Sequence, residues 1–216
     1  MDSYEIYENC DQYTAFPEVD DVFASDFEKE CMLPLGIMHV DIDDAVHNVL
    51  LAVPTISDEG GFIGRDNIGE YCGELWLTYS KRNGRWSLDC EPLDFRSLDQ
   101  APDEVRVIYE ESKSLFKEHG FIPSPYLDKL PLLKIGGEIT SYGNVYAYTR
   151  KFIPNVLRDR VGEPPARKLV TFIGGDGGEY VHLGRANGGV YSACAGDFEF
   201  FFNPSKDRVL TIIEYD

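Results

Sequence analysis

The chain has 216 residues, 43% of them hydrophobic, and its 38 acidic against 20 basic side chains give a formal charge of −18. That excess argues against holding nucleic acid by its phosphates and against docking on anionic membranes, both of which need a basic surface. No segment reaches the roughly 20 apolar residues of a membrane helix, and the opening MDSYEIYENCDQY is acidic where a secretory leader is basic.

These features predict a soluble, cytoplasmic protein. A globule of this size buries roughly 70% of the surface its unfolded chain exposes, so a core can form without metal or disulfide. The charge is lopsided: from Met1 to Ser80 there are 18 acidic residues against only Lys29 and Arg65. Such a concentration predicts a negative face suited to a basic protein partner.

Residues 1–30 mix acids with aromatics (Tyr4, Tyr7, Tyr13, Phe16, Phe23, Phe27) and read as an arm. Ile37 to Ile42 alternates polar and apolar, and Val46 to Val53 is apolar and partly β-branched. Two strands around Asp43 and Asp44 follow from that pattern, ending near Pro54. In ELWLTYSKRNGRWSLDC, Leu75, Leu77 and Tyr79 alternate before Asn83-Gly84, and Trp86, Leu88 and Cys90 alternate after it. Asn-Gly tolerates the positive φ of a type I′ turn, so this is a hairpin.

APDEVRVIYEESKSLFKEHGF places Val105, Ile108, Leu115 and Phe116 at helical spacing. Asp103 and Glu104 near the start and Lys117 and His119 near the end suit the helix dipole, and Gly120 suits a left-handed cap. An amphipathic helix over about 102–119 results, with Glu110 and Lys113 spaced to pair. The Pro-rich exit FIPSPYLDKLPLLKIGG marks a boundary between an acidic half, 1–125, and a strand-rich half, 126–216, which together form one unit. In the second half KLVTFIG, EYVHLG and GVYSACAG read as strands, and DFEFFFN with RVLTIIEY as a hairpin across NPSKD. Phe198, Phe200 and Phe202 then share one face and Glu199 and Phe201 the other. The fold class is α+β, mostly antiparallel sheet with one main amphipathic helix.

The order PLLKIGGEI, KLVTFIGGDGG and CAGDFEFFFNPSKDRVLTIIEY resembles the YwqG-like family of bacterial cytosolic proteins over roughly residues 130–216. A Trp common after the Gly-Gly segment of that family is replaced here by Glu138-Ile139-Thr140. The resemblance implies an α+β fold and no catalytic residue. It also implies a setting in which related domains occur beside secreted toxins, as immunity proteins do.

LVTFIGGDGGEYVHLG lacks the Lys-Ser/Thr of a P-loop, and strand rather than helix follows its glycines. It reads as a turn; the competing reading is a pocket near 174–178 using Asp176 or His182. Asp41 to Asp44 lacks the length and terminal Glu of a calcium loop. The four histidines show no zinc spacing, and Cys10, Cys31, Cys72, Cys90 and Cys194 form no close pair. Cys194 as a nucleophile beside His182 is weaker than Cys194 as a buried thiol.

No catalytic residue, cofactor or metal site is therefore expected. The function expected is a non-enzymatic immunity protein that binds a cognate, basic toxin effector. Its candidate contacts are Glu18, Asp20, Asp21, Asp41, Asp43, Asp44, Asp58 and Glu59. Trp76 or Tyr79 would add an aromatic anchor if exposed, but core is the simpler place for both.

Overall fold

The computed structural model of the protein describes residues 3–42, 44–55, 71–90, 102–136, 143–157, 167–172, 177–192 and 196–215. Strands β1 (Ser3–Ile6) and β2 (Tyr13–Ala15) precede two short helices, α1 (Val19–Val22) and α2 (Asp26–Cys31). The long hairpin of β3 (Met32–Ile42) and β4 (Ala45–Pro54) follows, then β5 (Cys72–Gly73), β6 (Trp76–Arg82) and β7 (Arg85–Leu88). Helix α3 (Pro102–His119) leads into β8 (Ile122–Pro123), β9 (Lys129–Leu130) and β10 (Leu133–Gly136). The remainder holds α4 (Asn144–Tyr148), β11 (Thr149–Leu157), β12 (Arg167–Phe172), β13 (Glu179–Asn187), α5 (Gly188–Tyr191), β14 (Asp197–Asn203) and β15 (Arg208–Glu214). The fold is α+β and mostly antiparallel, with α3 as the one long helix among the described residues.

Among the described residues ten strands form one sheet: seven along the path β1-β10-β13-β14-β15-β6-β5, with β7 beside β6, β12 beside β13 and β11 beside β12, so strands from before and after residue 125 share it. Strand β13 is its pivot. One edge pairs with β14, and the other is divided between β12, along Glu179–Val181, and β10, at Arg185. The register with β14 shifts between His182 and Gly184. A side chain at Gly184 would meet the carbonyl oxygen of Lys134 at 2.7 Å, so only glycine lets β10 approach there.

A second sheet, β2-β3-β4, packs on one face of the first together with α3 and α5. The hydrophobic alternation of β14 explains how both faces are filled. Phe198, Phe200 and Phe202 join the main core with Leu50, Val53, Tyr109 and Phe116, while Phe201 packs with Trp76, Phe172, Leu210 and Ile212 on the opposite face. The edge of β4 opposite β3 is closed by side chains rather than by a strand. The Tyr79 hydroxyl donates to the Leu50 carbonyl (2.9 Å) and accepts from the Ala52 N–H (2.8 Å), and Thr211 donates to the Ala52 carbonyl (3.3 Å).

The local turn chemistry gives the predicted hairpins. Asn83 and Gly84 have φ of 52° and 82°, the type I′ signature, and β6 pairs with β7 across them. Strand β4 ends at Pro54 as expected, and the β14–β15 hairpin turns through Asp207. Helix α3 stops where Gly120, at φ 78°, donates its N–H to the Phe116 carbonyl (2.7 Å).

Three expectations are corrected. The segment after β13 does not continue as strand: Gly188–Tyr191 is the helix α5, because the Asn187 side chain accepts from the Gly189 N–H (3.1 Å) and caps its first turn. The buried stripe of α3 is Val105, Tyr109, Ser112 and Phe116. Leu115 is exposed, since Tyr109 and Ser112 satisfy their hydroxyls on the carbonyls of Pro34 (2.7 Å) and Val190 (2.6 Å) and can face inward. Lys113 reaches Glu18 at 2.8 Å instead of its helical neighbour Glu110.

Candidate functional site

The acids predicted as contacts lie on two elements. Glu18 immediately precedes α1, and Asp20 and Asp21 are its second and third residues; all three are exposed. Glu18 pairs with Lys113 of α3, and Asp20 pairs with Lys29 at 2.8 Å, which holds its carboxyl below the usual range through that hydrogen bond and charge. Asp41 and Asp44 are exposed at the β3–β4 turn, Asp44 with a φ of 65°. The N–H of Phe16, two residues before Glu18, donates to the Leu35 carbonyl. That anchor is six residues from Asp41 along β3, about 20 Å at roughly 3.3 Å per residue. The two acidic groups are thus attached to β3 well apart, and the structure does not gather them into one cluster. Asp43, Asp58 and Glu59 lie outside the described residues.

The acidic surface extends where the sequence pattern did not point. Lys113 of α3 pairs with Glu18 just before α1, and the exposed residues of α3 include Asp103, Glu104, Glu110, Glu111 and Glu118 together with Lys117 and His119. Past the end of α3, the short β8–β9 hairpin projects Tyr126, 93% exposed, and Leu127, 59% exposed. The Ser124 hydroxyl accepts from the backbone N–H of both residues (3.3 and 3.2 Å), so the pair is presented on an ordered turn between Pro123 and Asp128. Two large apolar groups side by side in water form an apolar knuckle beyond the end of α3, where Glu118 stands between Lys117 and His119. The Pro-rich exit around SPYLD reads in sequence as a boundary between halves, and the signal missed was two bulky residues, Tyr126 and Leu127, at the tip of a hairpin. Trp76 and Tyr79 are core residues and offer no anchor.

A third arrangement lies on the long sheet. His182 and Glu199 are buried neighbours on β13 and β14, with Nε2 2.7 Å from Oε2. Arg185 donates from Nε to the other carboxylate oxygen of Glu199 (2.6 Å) and reaches Asp197 from Nη1 (3.4 Å). Burial pushes the Glu199 carboxyl up, but the hydrogen bond and charge of His182 and then Arg185 outweigh it and hold it below its ordinary value. Past this group, Glu5, Pro131, Lys134, Arg185, Asn187 and Asp197 line a recess of about 220 Å³. His182 does not line it; its ring packs on Phe201.

Other polar groups close on themselves. Asp89, its side chain 1% exposed, accepts from Thr78, Ser80 and Arg82 and lies 3.0 Å from Arg208 Nε. Glu214 accepts from the N–H groups of Asn144 and Val145 and so caps α4. Neither leaves chemistry unspent. At the Gly-rich segment, Phe172 donates its N–H to the Gly178 carbonyl (3.0 Å), closing a β12–β13 hairpin. Gly174, Gly175, Asp176 and Cys194 lie outside the described residues. Cys31 is a buried thiol whose pKa burial pushes up to about 12, and Cys10 is exposed. Among the described residues no group of three or more His, Cys, Asp or Glu side chains is placed to hold a metal ion, and no helix is long and apolar enough to cross a membrane. Compared with protein-family models, curated proteins and solved structures, the chain matches none.

Proposed function

We propose that the protein is a binding module that docks on a basic protein, in the manner of an immunity protein masking a toxin effector. The observation that carries this reading is the exposed Tyr126–Leu127 knuckle past the end of α3, whose exposed surface holds Asp103, Glu104, Glu110, Glu111 and Glu118 against Lys117 and His119. An apolar anchor inside a charged surround is how binding energy concentrates in protein interfaces: the anchor fills a pocket while the charges set approach and register. The expected anchor is Tyr126 and Leu127, with Glu110, Glu111, Glu118, Glu18, Asp20 and Asp21 as the charged rim that steers the partner. Asp41 and Asp44 form a separate acidic tip. A nuclease-type effector, basic because it holds phosphates, is the partner chemistry that fits. The motif order shared with YwqG-like proteins over 130–216 belongs to the same proposal.

The test is association kinetics with the effector encoded beside this chain, paired with growth rescue on co-expression. The association rate should fall as salt rises, and rescue should be lost when Tyr126 and Leu127 are both alanine. Binding that ignores salt, or an effector that kills regardless of this chain, would refute the reading.

A further inference from the structure

The recess on the long sheet holds a cation, Lys134, that neither the fold nor the docking surface uses. Four strands bring one residue each into a single cross-strand row: Glu5 opposite Lys134, Lys134 opposite Arg185, and Arg185 opposite Glu199. The row continues into Ile212 and Trp76, which are buried. It therefore passes from packed apolar sheet into an open, charged hollow of about 220 Å³.

The signs along the row are unusual. Lys134 and Arg185 are like charges directly opposite each other, an arrangement that costs stability in an antiparallel pair. Arg185 is committed to Glu199 and Asp197. Lys134 is exposed, lines the recess, and has no carboxylate within salt-bridge distance among the described residues, although Glu5 stands opposite it. An anion seated between Lys134 and Arg185 would turn the repulsion into a shared charge-assisted contact. The flanking Glu5 and Asp197 decide which anion. Two carboxylates beside the cations disfavour a multiply charged group such as phosphate, and they offer a counter-charge to an ammonium group. Asn187, whose amide is fixed by donating to Asp197 (2.9 Å), completes a small set of convergent polar groups.

We propose that this recess binds a free α-amino acid as its zwitterion. The ligand carboxylate lies against Lys134 and the edge of Arg185, and its ammonium group lies toward Glu5 and Asp197. The site is independent of the docking reading, since it uses other strands and another face.

The experiment is titration calorimetry of the full chain with each standard L-α-amino acid, with the N-acetyl and methyl-ester forms of whichever binds, and with inorganic phosphate. At least one amino acid should give a saturable signal, and both blocked forms should bind about tenfold more weakly, because each loses one charged contact. Lys134→Met should weaken binding by a similar factor with the thermal midpoint no lower than the parent's, since it removes the like charge opposite Arg185, and Glu5→Gln should weaken the amino acid while relieving the discrimination against phosphate. Absence of binding across the amino acids would overturn the proposal. Phosphate bound in preference, or a blocked acid bound as well as the free one, would overturn it equally.

Discussion

His182 and Glu199 form a buried imidazole–carboxylate pair, Nε2 to Oε2 2.7 Å, on adjacent strands of the long sheet. Glu199 keeps its charge there only because His182 and Arg185 outweigh burial, which leaves its pKa below the ordinary 4.5. A carboxylate with a depressed folded pKa contributes stability that is complete above 4.5 and is lost as pH falls through the folded value. Urea unfolding measured as a function of pH should therefore show an acid limb that Glu199→Gln makes shallower. At neutral pH the same variant should be destabilised by roughly 3–5 kcal/mol, since Arg185 is left without its main counter-charge. An acid limb as steep in the variant as in the parent would show that the pair carries none of it.

Tyr79 should prove essential to the second sheet through one oxygen. Its hydroxyl supplies both an acceptor and a donor to the edge of β4, at Ala52 and Leu50, where a neighbouring strand would otherwise stand. Tyr79→Phe keeps the ring and removes the oxygen, leaving two buried backbone groups short of a partner. The expected loss is about 2–4 kcal/mol, read as a lower urea midpoint. Faster amide exchange at Ala52 should accompany it. A midpoint within error of the parent would mean that water or a shift of β4 replaces the bond.

Gly36 should reject any side chain. The ring of Tyr13, fully buried with its hydroxyl on the Leu35 carbonyl, lies across the β3 backbone at Gly36. A β-carbon built on Gly36 would stand 2.2 Å from that ring. Gly36→Ala should cost about 1–3 kcal/mol or more by overpacking, and pairing it with Tyr13→Leu should recover part of the loss. Additive losses in the double variant would place the strain elsewhere.

What the chain disclosed in advance was local. Asn83-Gly84 announces its hairpin because the turn needs only two residues, and α3 is bracketed by its own charges and Gly120. The alternation of Phe198 to Phe202 marked a strand with three phenylalanines on one face; that the face of Glu199 and Phe201 is buried as well came only from the packing. The polar row through Lys134, Arg185 and Glu199 was not legible, because it depends on which strands lie side by side and on a register shift at Gly184. The apolar stripe of α3 was misjudged for a related reason: a tyrosine and a serine face inward only because β3 and α5 present carbonyls to them. The acidic bias of the first 80 residues was visible in composition. That the described candidate contacts divide between the start of α1 and the β3–β4 turn was not, because separation along β3 is set by pairing.

The knuckle and the acids should contribute to partner binding in different kinetic currencies. Tyr126 and Leu127 touch little of the core, so the double alanine variant should unfold within about 0.5 kcal/mol of the parent. Against a cognate basic protein it should nonetheless lose about 2 kcal/mol or more per anchor residue, nearly all of it as faster dissociation. Replacing Glu110, Glu111 and Glu118 by Gln should do the reverse. It should slow association and flatten its salt dependence while leaving dissociation close to the parent's, because rim charges act before contact is made. Surface-plasmon measurements at several salt concentrations separate the two. If the charge variant changed only the off-rate, those acids would be direct contacts rather than steering groups. If the knuckle variant changed neither rate, Tyr126 and Leu127 would lie outside the interface, and the docking face would have to be sought at the β3–β4 turn with Asp41 and Asp44.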